Sequence, residues 1–376
     1  MVTITIIGWY GTETIGDRAI FAGLLRIFSE CFDRYVIKWG SLIPHLTERT
    51  LLEDNGFYKE ISDEKLKRIE IFDSLSAKSL KTNISESDIL AIGGGPLMDI
   101  QCMYMLEYAL KYAKKRKVRT LMLGCGWGPL KQHKYVQSAV HIVQYADLAI
   151  FRDSTSMMQF KHHYKGIKDV YSLIDPAFFS AQYFADRYPQ IDDRTYIAVN
   201  FRDLKVDESY DSSSFELQKL VEFINFLLKR FPEKQIKLIP MHTFYVGGDD
   251  RIILEKIYRA VGSERLFVQH KPLSLKETMS IYRDALFCIG MRFHSIVLQT
   301  MVNGYNYILD YTEPQKGKII GMIRQLEMEE QLKGRYASVT HSEELLIDEK
   351  NSKLEIGNNL IEKYREDYVR LIRSIL

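Results

Sequence analysis

The chain has 376 residues, 46% of them hydrophobic and 27% charged, with a net charge of only +2. That length predicts two α/β domains rather than one, and the near-neutral charge argues against a dedicated nucleic-acid binder, which would carry a strong basic excess. Four scattered cysteines (Cys31, Cys102, Cys125 and Cys288) form no CxxC pair, so a disulfide framework and a structural zinc are not expected and a reducing compartment is.

The chain opens on MVTITIIGWYG, with neither a basic leader region nor a small-residue cleavage site, and no run reaches the roughly 20 apolar residues that span a bilayer. A cytoplasmic protein is expected, with peripheral contact at the inner face of a membrane left open. Thr3 to Ile7 reads as a strand, followed by a turn-rich stretch and a helix from Arg18 to Phe32. Strand, glycine-bearing loop, helix is the unit of a parallel sheet. It recurs at Asp88 to Ile92 with a helix over Gln101 to Lys115, at Thr120 to Gly124, and at Leu148 to Phe151, where Asp153 or Ser154 caps the next helix. The pattern breaks between Ile174 and Gln190. A second series then runs through strands at Tyr196 to Asn200, Ile236 to Pro240, Leu266 to Gln269 and Leu286 to Gly290. Its helices fall at 215–230, 249–261, 274–285 and 294–302, and the last strand is YNYILDY. The predicted organisation is one Rossmann-like domain over 1–185, a second over 190–330, and a polar segment with a C-terminal helix over 331–376 that packs back on the body. That helix alternates acids with bases, which favours docking over a membrane-surface role. Two doubly wound domains predict a cleft between facing strand ends, where open α/β sheets bind ligands.

Four loops at predicted strand ends carry glycine, charge or both, and a fifth is a secondary candidate. The first, Gly8 to Asp17, contains Gly11; its glycines allow close backbone approach, and Asp17 is either a helix cap or a site carboxylate. The second is GGGPLMD, from Gly93, Gly94 and Gly95 to Asp99, which is neither a Walker loop nor the dinucleotide fingerprint. Arg152 follows the strand LAIF directly. A cation there needs an anionic partner, either a ligand carboxylate or phosphate or a structural acid. GMRFH places Arg292 and His294 at i, i+2, side by side if the turn is extended, and His294 can move a proton near neutral pH. Pro240-Met241-His242 is a secondary loop of the same kind. The remaining histidines do not group with acids at metal-ligand spacing.

In this order, the loop ending in Gly16-Asp17, GGGPLMD, Arg152-Asp153, DPAF (Asp175 to Phe178), GMRFH and the strand-end Asp310-Tyr311 with a lysine beyond resemble the polysaccharide pyruvyl transferase family. The resemblance implies a glycosyltransferase-B-like α/β fold and phosphoenolpyruvate as donor. The product it implies is a pyruvate ketal on two hydroxyls of a sugar, in surface or exopolysaccharide biosynthesis. It makes Arg152, His294 and a lysine after the last strand essential, and that lysine is Lys316 or Lys318, because Gln315 stands where the family has it. No metal or organic cofactor is implied; phosphoenolpyruvate is a co-substrate, and the saccharide acceptor is free or lipid-linked. Two other readings share the architecture: a glycosyltransferase with a nucleotide-sugar donor, and a non-catalytic sugar-binding protein.

Overall fold

The computed structural model describes residues 1–191, 194–204, 217–246, 248–312, 317–348, 352–357 and 359–376. The chain divides into two compact units. The first comprises Met1–Glu13, Asp17–Ser180 and Asn359–Leu376; the second comprises Thr14–Gly16 and Ala181–Asn358.

The first unit is built on strands β1 (Val2–Ile7), β2 (Tyr35–Ser41), β3 (Leu66–Asp73), β4 (Ile89–Gly93), β5 (Pro96–Leu97), β6 (Arg119–Trp127), β7 (Leu148–Phe151) and β8 (Tyr171–Ser172). Between them run helices α1 (Ile15–Cys31), α2 (Pro44–Ile61), α3 (Ala77–Ser85), α4 (Met103–Lys115), α5 (His133–Tyr145) and α6 (Ser154–His163), and α7 (Ala177–Arg187) follows β8. The sheet is parallel in the order β3-β2-β1-β4-β6-β7-β8, with β5 beside β6. Strands β4 and β7 are buried along their whole length, as expected when helices cover both faces of a parallel sheet. The strand order reverses between β1 and β4, so the loops after these two strands sit at the switch point where such sheets bind ligands.

In the second unit, strands β9 (Tyr196–Asn200), β10 (Gln235–Leu238), β11 (Leu266–Val268), β12 (Cys288–Gly290), β13 (Asn306–Asp310) and β14 (Tyr336–Ser338) alternate with α8 (Leu217–Arg230), α9 (Asp250–Val261), α10 (Leu275–Arg283), α11 (Phe293–Val302) and α12 (Lys318–Gln325). The order β11-β10-β9-β12-β13-β14 is again parallel and reverses between β9 and β12. Capping defines several of these helices. Ser274 and Glu277 form a reciprocal capping box at α10, and Gly262 closes α9 in the left-handed conformation.

Two features differ from the sequence reading. Residues 33–87 hold two further strands and two further helices, because β2 carries the buried Lys38, which pairs with Glu86, and β3 is rich in charge. Both strands lack the apolar run that marks β4. The segment expected at 331–376 as a polar stretch with a helix packing back on the body is divided: β14 extends the second sheet, whereas α13 (Leu360–Arg373) belongs to the first unit. The buried face of α13 includes Ile361, Tyr368, Leu371 and Ile372, and its Tyr368 hydroxyl donates to the Ile174 carbonyl at 2.7 Å.

Helix α1 packs so closely on the start of α7 that a Cβ on Gly23 would lie 1.8 Å from the Pro176 carbonyl oxygen. Gly23→Ala forces backbone apart and should cost about 1–3 kcal/mol. A calorimetric transition unchanged from that of the parent chain would show that α1 can move away freely.

Candidate functional site

In the first unit, the glycines predicted to approach a ligand are occupied largely by the protein itself. A Cβ on Gly93 would lie 2.3 Å from the Tyr10 hydroxyl oxygen, one on Gly94 2.4 Å from Ile20, and one on Gly95 2.4 Å from the Trp9 ring. Gly94 and Gly95 also adopt positive φ, 67° and 75°. The Tyr10 hydroxyl donates to the Gly93 carbonyl, the Trp9 indole N–H donates to the Pro96 carbonyl, and the Gly94 amide donates to Leu123. The triple glycine therefore lets the β1 loop and α1 close on the β4 loop. Gly11, at φ 85°, is likewise packed against Ser41 and Ile43. Asp99 accepts from the Lys131 and Gln132 amides at 2.8 and 3.0 Å, just ahead of α5. These contacts give Gly11, Gly93, Gly94, Gly95 and Asp99 a structural account.

The titratable groups of this unit gather at the strand ends. Arg152 is buried, with its guanidinium against Gly126, 3.5 Å from Asp175 and 3.7 Å from Asp153. Asp153 caps α6 by accepting from the Ser156 amide at 2.6 Å, and Asp175 accepts from the Ala177 amide at 3.0 Å. Asp17, in the first turn of α1, accepts from the Thr12 hydroxyl at 3.1 Å. Burial pushes its carboxyl up to about 7; the Thr12 hydrogen bond opposes this, and the Asp175 charge adds to it. A carboxyl poised near neutrality beside a second carboxylate is an arrangement suited to proton transfer. Asp175, quoted only within DPAF in the sequence reading, emerges as the group that links Arg152 to Asp17.

In the second unit, one carboxylate organises two loops. Asp250 holds the Arg292 guanidinium with both oxygens, at 2.5 to 3.0 Å, and accepts from the Met241 and His242 amides at 3.1 Å each. The Arg292 amide donates to Asn200 at the end of β9. The extended turn expected through GMRFH stops at Arg292, which caps α11, and Phe293 already begins the helix. Arg292 consequently turns to Asp250, while His294 packs against Gly16. Any Cβ at Gly16 would lie 2.1 Å from the His294 Nδ1. The short segment Thr14–Gly16 is held there by an antiparallel bridge from Thr14 to His242 and by the Ile15 amide donating to Met241. His242, Gly16 and His294 are thus neighbours through this segment.

Beyond β13, the Tyr311 ring is buried with the Arg202 guanidinium 4.6 Å and the Lys318 ammonium 5.4 Å from its centre. Burial alone would raise the phenol, but the charges of Lys318, Arg202 and Arg292 outweigh it and bring it down to about 8. Asp310 fixes the strand end by accepting from the Thr312 amide and the Tyr336 hydroxyl, each at 2.7 Å. Lys318 opens α12, and Lys316 lies outside the described residues. Arg202 was missed in the sequence, although it stands just past the end of β9, as Arg152 stands just past β7. Tyr311 was quoted only as part of a motif. Among the described residues, no group of three or more histidines, cysteines or acids could hold a metal ion, and no helix is long and apolar enough to cross a membrane.

Two outcomes follow from these titrations. Asp17 keeps its proton in the folded state while the unfolded carboxyl loses it near pH 4, so stability falls as pH rises from about 4 to 7. Asp17→Asn should remove that part of the fall, and melting curves of the two proteins that stay parallel from pH 4 to 8 would refute the assignment. Ultraviolet titration should show one tyrosine ionising near pH 8, well before the rest, and Tyr311→Phe should abolish that early step. An early step that persists in the variant belongs to another residue.

Over its whole length the chain is similar in structure to an S. aureus MnaA–UDP complex, with 14% identity and a TM-score of 0.60 over 100% of this chain and 97% of that one. A Methanocaldococcus jannaschii UDP-GlcNAc 2-epimerase in complex with UDP-GlcNAc and UDP matches at 11% identity and TM-score 0.55, covering 100% of both chains. An alpha-glucosyltransferase in complex with UDP matches at 10% identity and TM-score 0.53, over 99% of this chain and 94% of that one. At such identities these likenesses establish the fold, an α/β architecture with parallel sheets of the glycosyltransferase-B type, as the sequence reading expected. No curated protein matches the chain in sequence. The sequence model described as polysaccharide pyruvyl transferase, however, matches residues 15–302. That span begins beside Gly16 and ends just past His294, taking in Asp17, Arg152, Asp175, Asp250 and Arg292, and the chain belongs to the polysaccharide pyruvyl transferase family.

Proposed function

We propose that this enzyme moves pyruvate from phosphoenolpyruvate onto two hydroxyls of one sugar residue, forming a ketal on a surface or exopolysaccharide building block. The observation that carries the reading is family membership over a span that includes the seated His294. The chemistry fits the residues. Phosphoenolpyruvate presents a carboxylate and a phosphate close together, and cations with directional donors recognise such a group. Arg202 and Lys318 around Tyr311 are suited to that task. Arg292, bound by Asp250, serves to hold the loop.

In the proposed reaction the donor methylene gains a proton and becomes a methyl group, and the electron-poor carbon is attacked by one sugar hydroxyl. The carbon–oxygen bond to phosphate then breaks, inorganic phosphate leaves, and the second hydroxyl closes the ring. Two hydroxyl protons are lost, one matched by the methyl group and one by the released phosphate. His294 is the proposed proton carrier, a role worth about 100- to 10,000-fold in rate. Arg152 is proposed to act through Asp175, whose charge helps to hold the proton on Asp17. No metal or organic cofactor enters this scheme.

Binding to the native state raises the melting temperature. Phosphoenolpyruvate should therefore stabilise the parent chain and His294→Ala alike, and the shift should shrink in Arg202→Ala and Lys318→Ala. With saccharide fragments as acceptors, His294→Ala should release phosphate at least about 100-fold more slowly. Stabilisation by UDP but not by phosphoenolpyruvate would point to a nucleotide-sugar glycosyltransferase instead, and full activity of His294→Ala would remove it from the mechanism.

A further inference from the structure

Charge is balanced over the whole chain, with 51 basic side chains against 49 acidic ones, but not over one surface of the first unit. The adjacent helices α3, α4 and α5 carry six lysines and a single acid, Glu107, which faces His141 at 2.8 Å. Of the six, Lys114 is paired with Asp147. On α4, residues Tyr104, Tyr108, Lys111 and Lys115 are all exposed and fall at i, i+4, i+7 and i+11, along one face of the helix. Tyr104 and Tyr108 are 41% and 38% exposed, and Lys81 of α3 reaches to 5.8 Å from the Tyr108 ring. The opposite face of α4 (Met103, Leu106, Leu110 and Ala113) is buried against the sheet layer, so the exposed stripe is not needed for folding.

We propose that this α3–α4–α5 face docks the enzyme on an anionic membrane surface, with Tyr104 and Tyr108 at headgroup level among the lysines. Amphipathic rings favour the membrane–water boundary, and each lysine near an anionic bilayer strengthens partitioning by about fivefold. The charges are spread over flexible stems on three adjacent helices, which suits a diffuse surface of headgroups better than one bound phosphate. The strongly amphipathic helix α13 cannot take this part, because its apolar face is already buried in the first unit and Arg365 and Arg373 are engaged with Glu30. The proposal does not depend on the pyruvyl-transfer reading, and its test uses no turnover.

The test is cosedimentation of the full chain with vesicles of phosphatidylcholine alone and of phosphatidylcholine with 30% phosphatidylglycerol, a probe composition chosen at about one anionic lipid in three. Binding should require the anionic lipid and be lost near 0.5 M salt, where charges are screened within about 4 Å. Replacing Lys81, Lys111 and Lys115 together by Gln should weaken partitioning on the order of 100-fold. Tyr104→Ser with Tyr108→Ser should weaken it further at fixed charge, measured on variants whose circular dichroism spectrum matches that of the parent chain. Removing three cations from the second unit (Lys229→Gln, Arg230→Gln and Lys256→Gln) should leave binding intact. The proposal is overturned by equal binding to neutral vesicles, by no binding at all, or by equal losses in the two lysine and arginine triples. Tighter binding of a duplex oligonucleotide than of anionic vesicles would overturn it too.

Discussion

The second unit turns on one buried carboxylate. Asp250 binds the Arg292 guanidinium through both oxygens and also accepts from the amides of Met241 and His242, so the loops after β10 and β12 are joined at a single point. A buried pair of this kind gains little over apolar packing but is costly to break, since either charge left alone is stranded away from water. The gain lies in position. With Arg292 held, α11 starts at Phe293 and His294 is directed to Gly16, where only a hydrogen on the Cα leaves it room. Arg292, expected from the sequence to bind substrate, is held by Asp250 two residues ahead of the histidine.

The first unit solves a different problem with similar means. Arg152 and Asp153 follow β7, Asp175 follows β8 and Asp17 lies in the first turn of α1, and a buried charge in such a place must be paired. Two of the acids serve as helix caps, which leaves Asp17 as the carboxyl whose proton is held only loosely at neutral pH. The glycines of the β4 loop bring Trp9, Tyr10 and Ile20 against it. Tyr311 shows the reverse balance in the second unit: three cations outweigh the burial of its ring.

The family match spans most of these groups. Arg202 and Lys318 flank the Tyr311 ring and His294 is seated on Gly16, while Arg152 and Arg292 are tied to acids of their own units.

Taken alone, the sequence determined the fold class, most of the strands with their following helices, and the loops that matter. These signals are local: an apolar run such as ILAIG, a glycine after it and a cap after that are read within a dozen residues. It could not reveal β2 and β3, whose charged residues hide their strand character until Lys38 meets Glu86. Nor could it tell ligand-facing groups from structural ones. Whether Arg292 is free for a substrate depends on Asp250, 42 residues away in sequence, and whether Gly16 serves a ligand depends on where His294 comes to rest. The ends of α13 and β14 were decided in the same way, by which sheet offered each a buried face. Pairing between distant residues is set by packing, and only the tertiary structure carries it.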